Sequence, residues 1–148
     1  MLVNEVLLTA AERRGRDLLH TVLSRRQRAQ FDETQSFLVQ FPSGNAAEVS
    51  TRSHPVVIFL QKSRGLFFRA APRGVLYHAC VHLEDNSNRY DRMVAVKLAL
   101  EVNGEKWFCS HFRHNLFYCG RRFHEFPDRF GGTYHLIRYL QERGFRLD

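Results

Sequence analysis

Three residues able to hold a metal alternate along one short stretch, Tyr77-His78-Ala79-Cys80-Val81-His82. Alternate side chains of an extended strand share a face, so His78, Cys80 and His82 face one way and Ala79, Val81 and Leu83 the other. Imidazole and thiolate are zinc ligands, and zinc takes four of them in a tetrahedron at about 2.0–2.3 Å. Same-face neighbours on a strand lie about 6–7 Å apart, so two of the three can share an ion but all three cannot. The remaining ligands must come from elsewhere. Residues 109–124 carry Cys109, His111, His114, Cys119 and His124. The metal-binding set read from the sequence is Cys80, His82, Cys109, His111 and His114.

The spacing His111-x2-His114-x4-Cys119-x4-His124 has the intervals of a retroviral-type zinc knuckle. The ligand types differ from its Cys, Cys, His, Cys order, and Tyr118 stands where the knuckle has glycine. A nucleophilic reading pairs Cys109 with His111 or His114 and uses Asp91 to orient the imidazole. The reading preferred over both is plainer. Free cysteine packs as a small apolar residue, and the histidines serve as surface or hydrogen-bonded groups. No catalytic residue is assigned and no cofactor is expected, zinc being the one alternative. Glycine-rich phosphate loops are absent: GLFFRAAPRG and FGGTYH lack both the spacing and the lysine.

Charge points elsewhere. The 148-residue chain has 22 basic and 15 acidic residues, a net charge of +7. Residues 1–30 and 105–148 each carry +3 (six basic against three acidic, eight against five), and the middle carries +1. A basic balance suits nucleic acid, an acidic protein surface or anionic lipid. RRGR at 13–16, RRQR at 25–28 and the pair Arg121-Arg122 form clusters, and the guanidinium fork matches phosphate geometry. LFFR and HFRHNLFYCGRRFH interleave rings with cations, as single-stranded nucleic acid is often gripped. The contact residues expected are Arg13, Arg14, Arg25, Arg26, Arg28, Arg121 and Arg122.

These groups need elements to position them. Apolar residues recur at spacings of three and four from Val3 to Leu23, which predicts a helix interrupted only by Gly15. Ser24 with Gln27 has capping-box spacing and predicts a second helix from Arg25 to about Glu33, with Ala29 and Phe31 buried. The period then becomes two. Phe37, Val39 and Phe41 share a strand face, PSGN (42–45) is a turn, and a further strand is expected at 46–51. PVVIFL (55–60) reads as a central or doubly covered strand. KSRG (62–65) and APRG (71–74) read as hairpin turns leading into LFFRA and VLYHACVHL. RYDRMVAVKLALEV predicts a well-buried helix at 89–102 that ends at Asn103-Gly104. Trp107, Phe108 and Phe112 are expected inward beyond it. NLFYCGRRFHEF suggests a last strand pair. Thr133 is a candidate N-cap for YHLIRYLQER, with Gly144 as its C-terminal stop and Phe145 folding back on Leu140.

The sum is one α+β domain over residues 1–148: a curled antiparallel sheet of about five strands, flanked by an N-terminal helical pair, a helix at about 89–102 and a C-terminal helix. No apolar run approaches the roughly 18 residues of a membrane span, and the first residues lack the pattern of a secretory signal. Three cysteines suit reduced thiols and a cytoplasmic setting.

Residues 11–108 resemble small bacterial and phage-type proteins of unassigned function. The likeness rests on AERRGRDLL, RRQRAQF, FLVQF, the hairpins, Cys80-x-His82 near a strand end and VAVKLALE. It implies an α+β fold and no activity. The layout also resembles zinc-binding SWIM modules, except that RYDR (89–92) replaces their second C-x-H. SFLVQ after a helix is similar to the phosphotyrosine-binding Src-homology strand, with Gln40 in place of its arginine. Together these features predict a small basic binding protein, not an enzyme, that engages nucleic acid or an acidic protein as a phage or accessory bacterial regulator or inhibitor. A zinc-stabilised domain or a Cys/His enzyme is the alternative.

Overall fold

A computed structural model describes residues 8–51, 56–61, 73–81, 87–118 and 134–147. The first helix, α1 (Ala10–Val22), starts later than its apolar period suggests. A capping box at Thr9 and Glu12 sets its start, each side chain taking the other's backbone N–H. Residues 3–7 of the expected helix lie outside the described residues. The second helix, α2 (Arg25–Thr34), begins at the Ser24/Gln27 capping box that the spacing predicts. Phe31 is buried as expected, but Ala29 is exposed and Gln27 is buried in its place.

Four strands follow: β1 (Ser36–Gln40), β2 (Ala46–Ser50), β3 (Val56–Gln61) and β4 (Arg73–Ala79). They pair antiparallel in chain order, with β1 at one edge. The α+β class holds, but the sheet is not simply five antiparallel strands. A four-stranded meander is extended along β4 by two short pieces. One is the antiparallel β5 (Leu116–Tyr118) and the other the parallel β6 (Arg146–Leu147). The expected LFFRA strand lies outside the described residues.

Both faces of the sheet are covered. Phe37, Val39, Ala47, Val49, Val56 and Ile58 form one apolar cluster with residues of α1, α2 and the long helix α3 (Arg89–His111). Leu38, Ala46, Val57 and Phe59 form the other with α4 (Tyr134–Glu142) and Phe145. Strand alternation explains the division, and β3 feeds both clusters as a doubly covered strand must.

Gly15 is a packing site and not a weak point of α1. A Cβ there would lie 2.7 Å from Asn88 Oδ1, the N-cap of α3, so only glycine lets the two helices approach this closely. In α3, Gly104 takes φ +79° and kinks the helix where a stop is expected, and helical residues resume as far as His111. Tyr90, Met93, Val94, Val96, Leu100 and Phe108 are buried. Leu98 and Val102 face solvent instead, because the buried arc is shared with Lys97, which pairs with Glu101. Thr133 lies outside the described residues. The end of α4 is a Schellman motif: Phe145 N–H donates to Leu140 C=O and Gly144 N–H to Gln141 C=O, each at 3.0 Å.

The edge strand β1 is closed by α2. Gln27 Nε2 donates to Leu38 C=O at 2.9 Å, and Leu38 N–H donates to Gln30 Oε1 at 3.0 Å. Two side chains thus do for Leu38 what another strand would do, and they block edge pairing there. Gln27→Ala removes this bond and half of the capping box. The expected loss is about 1–2 kcal/mol in urea denaturation; a loss under about 0.3 kcal/mol would show that water replaces both bonds without cost.

Candidate functional site

The expected contact arginines divide by what they bond to. Arg13 and Arg14 are exposed on α1, and Arg25 and Arg26 are exposed in the first turn of α2. None of these four has an ion-pair partner among the described residues. Arg28 is also exposed, but its Nη2 donates to His20 C=O at 2.9 Å and so closes the C-terminus of α1. Arg28 therefore fixes the joint between the two helices that carry the others. Arg121 and Arg122 lie outside the described residues.

Two adjoining grooves flank α2 and share Arg26, Gln30 and Leu38. One, of about 250 Å³, is bounded by Ser24, Gln40 and Glu101. The other, of about 270 Å³, lies between α2 and α4 and is lined by Glu33, His135, Arg138 and Glu142. Arg138, which the sequence reading passes over, thus joins Arg26 in one concavity. Its Nε is 3.1 Å from Glu142 Oε1.

Behind this groove is a buried carboxylate. Glu48, 1 % exposed, lies in the middle of β2 on the α4 side of the sheet. It accepts from Ser36 Oγ (2.7 Å) and from the N–H groups of His135 (3.2 Å) and Leu136 (2.7 Å) in the first turn of α4. A strand side chain therefore caps a distant helix, where the helix dipole favours its negative charge. Burial pushes its pKa up to about 7, with the three hydrogen bonds acting in the opposite direction. Burial also lowers the pKa of His135; the Gln30 carbonyl and Glu33 oppose that shift, while Arg138 and Arg26 add to it.

The metal-ligand candidates are only partly brought together. β5 lies against Tyr77–Ala79, so the 109–124 stretch does reach the mid-chain strand. Cys80 follows β4, and its N–H donates to Asn115 C=O at 3.0 Å. Cys109 is half-buried near the end of α3. His111 stacks on Trp107 at 4.1 Å and is exposed, as is His114 in a single 3₁₀ turn (Arg113–Asn115). Among the described residues, no three of His, Cys, Asp and Glu gather so as to hold an ion. His82 lies outside them. The thiol of Cys109 is pushed up by burial first and then by Glu105. That is the reverse of what an activated nucleophile requires.

No protein-family model, no curated protein and no solved structure matches the chain. The functional reading therefore rests on geometry and charge. Among the described residues no helix is long and apolar enough to cross a membrane.

The residues missed by sequence reasoning are Thr34, Ser36, Glu48, His135 and Arg138. One signal was available: AAEVS places a carboxylate at a position that alternation assigns to a covered face.

Proposed function

We propose that this chain is a one-domain, non-enzymatic, cytoplasmic binding protein that engages an anionic partner, nucleic acid or an acidic protein surface, through the arginines of α1 and α2. The observation that carries this reading is the set Arg13, Arg14, Arg25 and Arg26, exposed and without ion-pair partners among the described residues. Arg25 and Arg26 stand in the first turn of a helix that has no acidic residue there. Cations at a helix N-terminus are opposed by the dipole, by about 0.3–1 kcal/mol each, and an anion brought alongside removes that opposition. The Arg28 bond to α1 holds the two helices in one arrangement, so less order has to be imposed on binding. Arg121 and Arg122 extend the same reading.

Fluorescence anisotropy with a labelled single-stranded oligonucleotide, across a salt series, tests it, with labelled polyglutamate as the acidic-protein probe. The quadruple variant R13Q/R14Q/R25Q/R26Q is expected to bind at least about tenfold more weakly. Its log–log salt slope should fall by about 3, since each lost phosphate contact removes about 0.7 for a single strand. If the folded wild-type protein binds neither probe at low salt, the reading fails.

A further inference from the structure

A run of short hydrogen bonds links Glu48 to the groove between α2 and α4. Ser36 Oγ is 2.7 Å from Glu48 Oε1, Thr34 Oγ1 is 2.8 Å from Ser36 Oγ, and His135 Nε2 is 2.7 Å from Thr34 Oγ1. Each hydroxyl has one hydrogen to give, so the run has two continuous polarities, against which the Gln30 carbonyl, 3.1 Å from Thr34 Oγ1, competes for the Thr34 hydrogen. With Glu48 ionised, His135 Nε2–H donates to Thr34, Thr34 to Ser36 and Ser36 to the carboxylate. The Gln30 carbonyl, 3.2 Å from Nε2, is a second acceptor for the ring. Nδ1 then carries a lone pair. With a proton on Glu48 Oε1, every bond in the run reverses: Nε2 accepts, and Nδ1 carries the hydrogen. A proton held on the ring itself also leaves Nδ1 as a donor.

His135 Nδ1 has no hydrogen-bond partner among the described residues, although the residue is only 6 % exposed. The ring lines the groove together with Arg26 from α2 and Arg138 from α4. Glu33 and Glu142 line it too and offset the two arginines. An ionised Glu48 behind the groove adds one uncompensated negative charge, and one proton taken into the run removes it, which eases the approach of an anion. Tyr134 and Glu142 act on Arg138, and Glu33 acts on His135.

The geometry points to a proton-coupled oxyanion site in this groove. A tetrahedral sulfate- or phosphate-like group lies between Arg26 and Arg138, accepts a hydrogen bond from His135 Nδ1, and draws one proton from solvent into the His135–Thr34–Ser36–Glu48 run. The proton enters at Nδ1, the hydrogens of the run shift by one place each, and no other bond is made or broken. Burial raises the proton affinity of the acid and lowers that of the imidazole, so a proton entering at the ring is drawn along the run towards Glu48. The site goes beyond the proposed binding face and shares only Arg26 with it.

Sulfate titrated by calorimetry in two buffers of different ionisation enthalpy, from pH 6 to 8.5, tests the site, because sulfate does not titrate in that range. The expected result is uptake of about one proton at pH 8 and an affinity that falls about tenfold per pH unit above neutrality, as one linked proton requires. In Glu48→Gln the amide N–H donates to Ser36 and fixes the reversed polarity. Its sulfate affinity should be independent of pH, without proton uptake. Ser36→Ala keeps the groove and cuts the run, so its proton uptake should move to lower pH. A short oligothymidylate, equally free of titration in this range, identifies the source: coupled uptake with both probes marks a phosphodiester, and with sulfate alone a small free oxyanion. R13Q/R14Q/R25Q separates the two proposals, because it should weaken the oligonucleotide and spare sulfate. The site is refuted if the folded wild-type protein fails to bind sulfate at pH 6 or binds it without proton uptake. It is equally refuted if folded Glu48→Gln keeps the wild-type pH dependence.

Discussion

Gly74→Ala is expected to destabilise the protein by at least about 2 kcal/mol, although alanine suits a strand better than glycine by up to about 1 kcal/mol. Gly74 lies in β4 opposite Gln61 and beside Leu147 of β6. A Cβ at this position would be 1.7 Å from Phe59 Cε2 and 1.8 Å from its Cζ. The clash is with the Cε2–Cζ edge of a rigid ring and not with the tip of a flexible chain. Phe59 has no exposed surface and packs edge-on against Phe145 at 4.9 Å, so the ring has nowhere to go. Overfilling a packed core costs about 1–3 kcal/mol, and here the misfit is a full atom deep. The loss should appear as a lower urea midpoint with an unchanged slope. Phe59→Leu added to Gly74→Ala removes the obstructing ring edge, so the double variant should lose less than the sum of the singles. A Gly74→Ala protein within about 0.5 kcal/mol of wild type would mean that the ring is not held where it is described.

Much of the architecture was legible because local rules and packing agree. The Ser24/Gln27 box, the shared face of Phe37 and Val39, the PSGN turn and the Gly144–Phe145 stop each follow from a few neighbouring residues. What was not legible depends on distant partners. Leu98 and Val102 continue an apolar period, yet α3 needs only part of its circumference to cover the sheet. Gly15 reads as a flaw until Asn88, 73 positions later, is seen against it. The two-residue β6 has no period that a sequence could display.

The candidate site divides in the same way. The arginine clusters are visible as composition, and exposure of Arg13, Arg14, Arg25 and Arg26 is what charge alone predicts. That Arg28 turns back to His20, and that Arg138 meets Arg26 across a groove, follows from helix packing and not from the clusters. The Cys and His residues drew attention by type, because metal ligands are recognised by what they are. Glu48 did not, since an isolated glutamate is ordinarily a solvated one. Its role appears only once α4 places two backbone N–H groups against it, about 90 residues downstream.

Stability should fall as pH rises from 5 to 8, by about 3 kcal/mol from Glu48 alone. Its pKa is raised from 4.5 to about 7 by burial. A raised carboxyl pKa means that the folded state holds the proton more tightly than the unfolded chain does. The stabilisation is fully present below about 4.5 and is lost as pH climbs through about 7. His135 acts with the opposite sign. Burial lowers its pKa, so its contribution is lost as pH falls below the ordinary imidazole range, and it partly offsets Glu48 in the overall profile. Glu48→Gln removes one titration and leaves the other. The difference between wild-type and variant denaturation free energies, measured at each pH, therefore isolates the carboxylate. That difference should change by about 3 kcal/mol between pH 5 and 8 and level off above. Glu48→Ala removes the same titration, so its difference from wild type should show the same pH dependence, with about 3 kcal/mol added at every pH because Ser36 and the first turn of α4 are left without an acceptor. A wild-type minus Glu48→Gln difference that is constant from pH 5 to 8 would place the ionised carboxylate at ease in the fold, with the helix N-terminus outweighing burial.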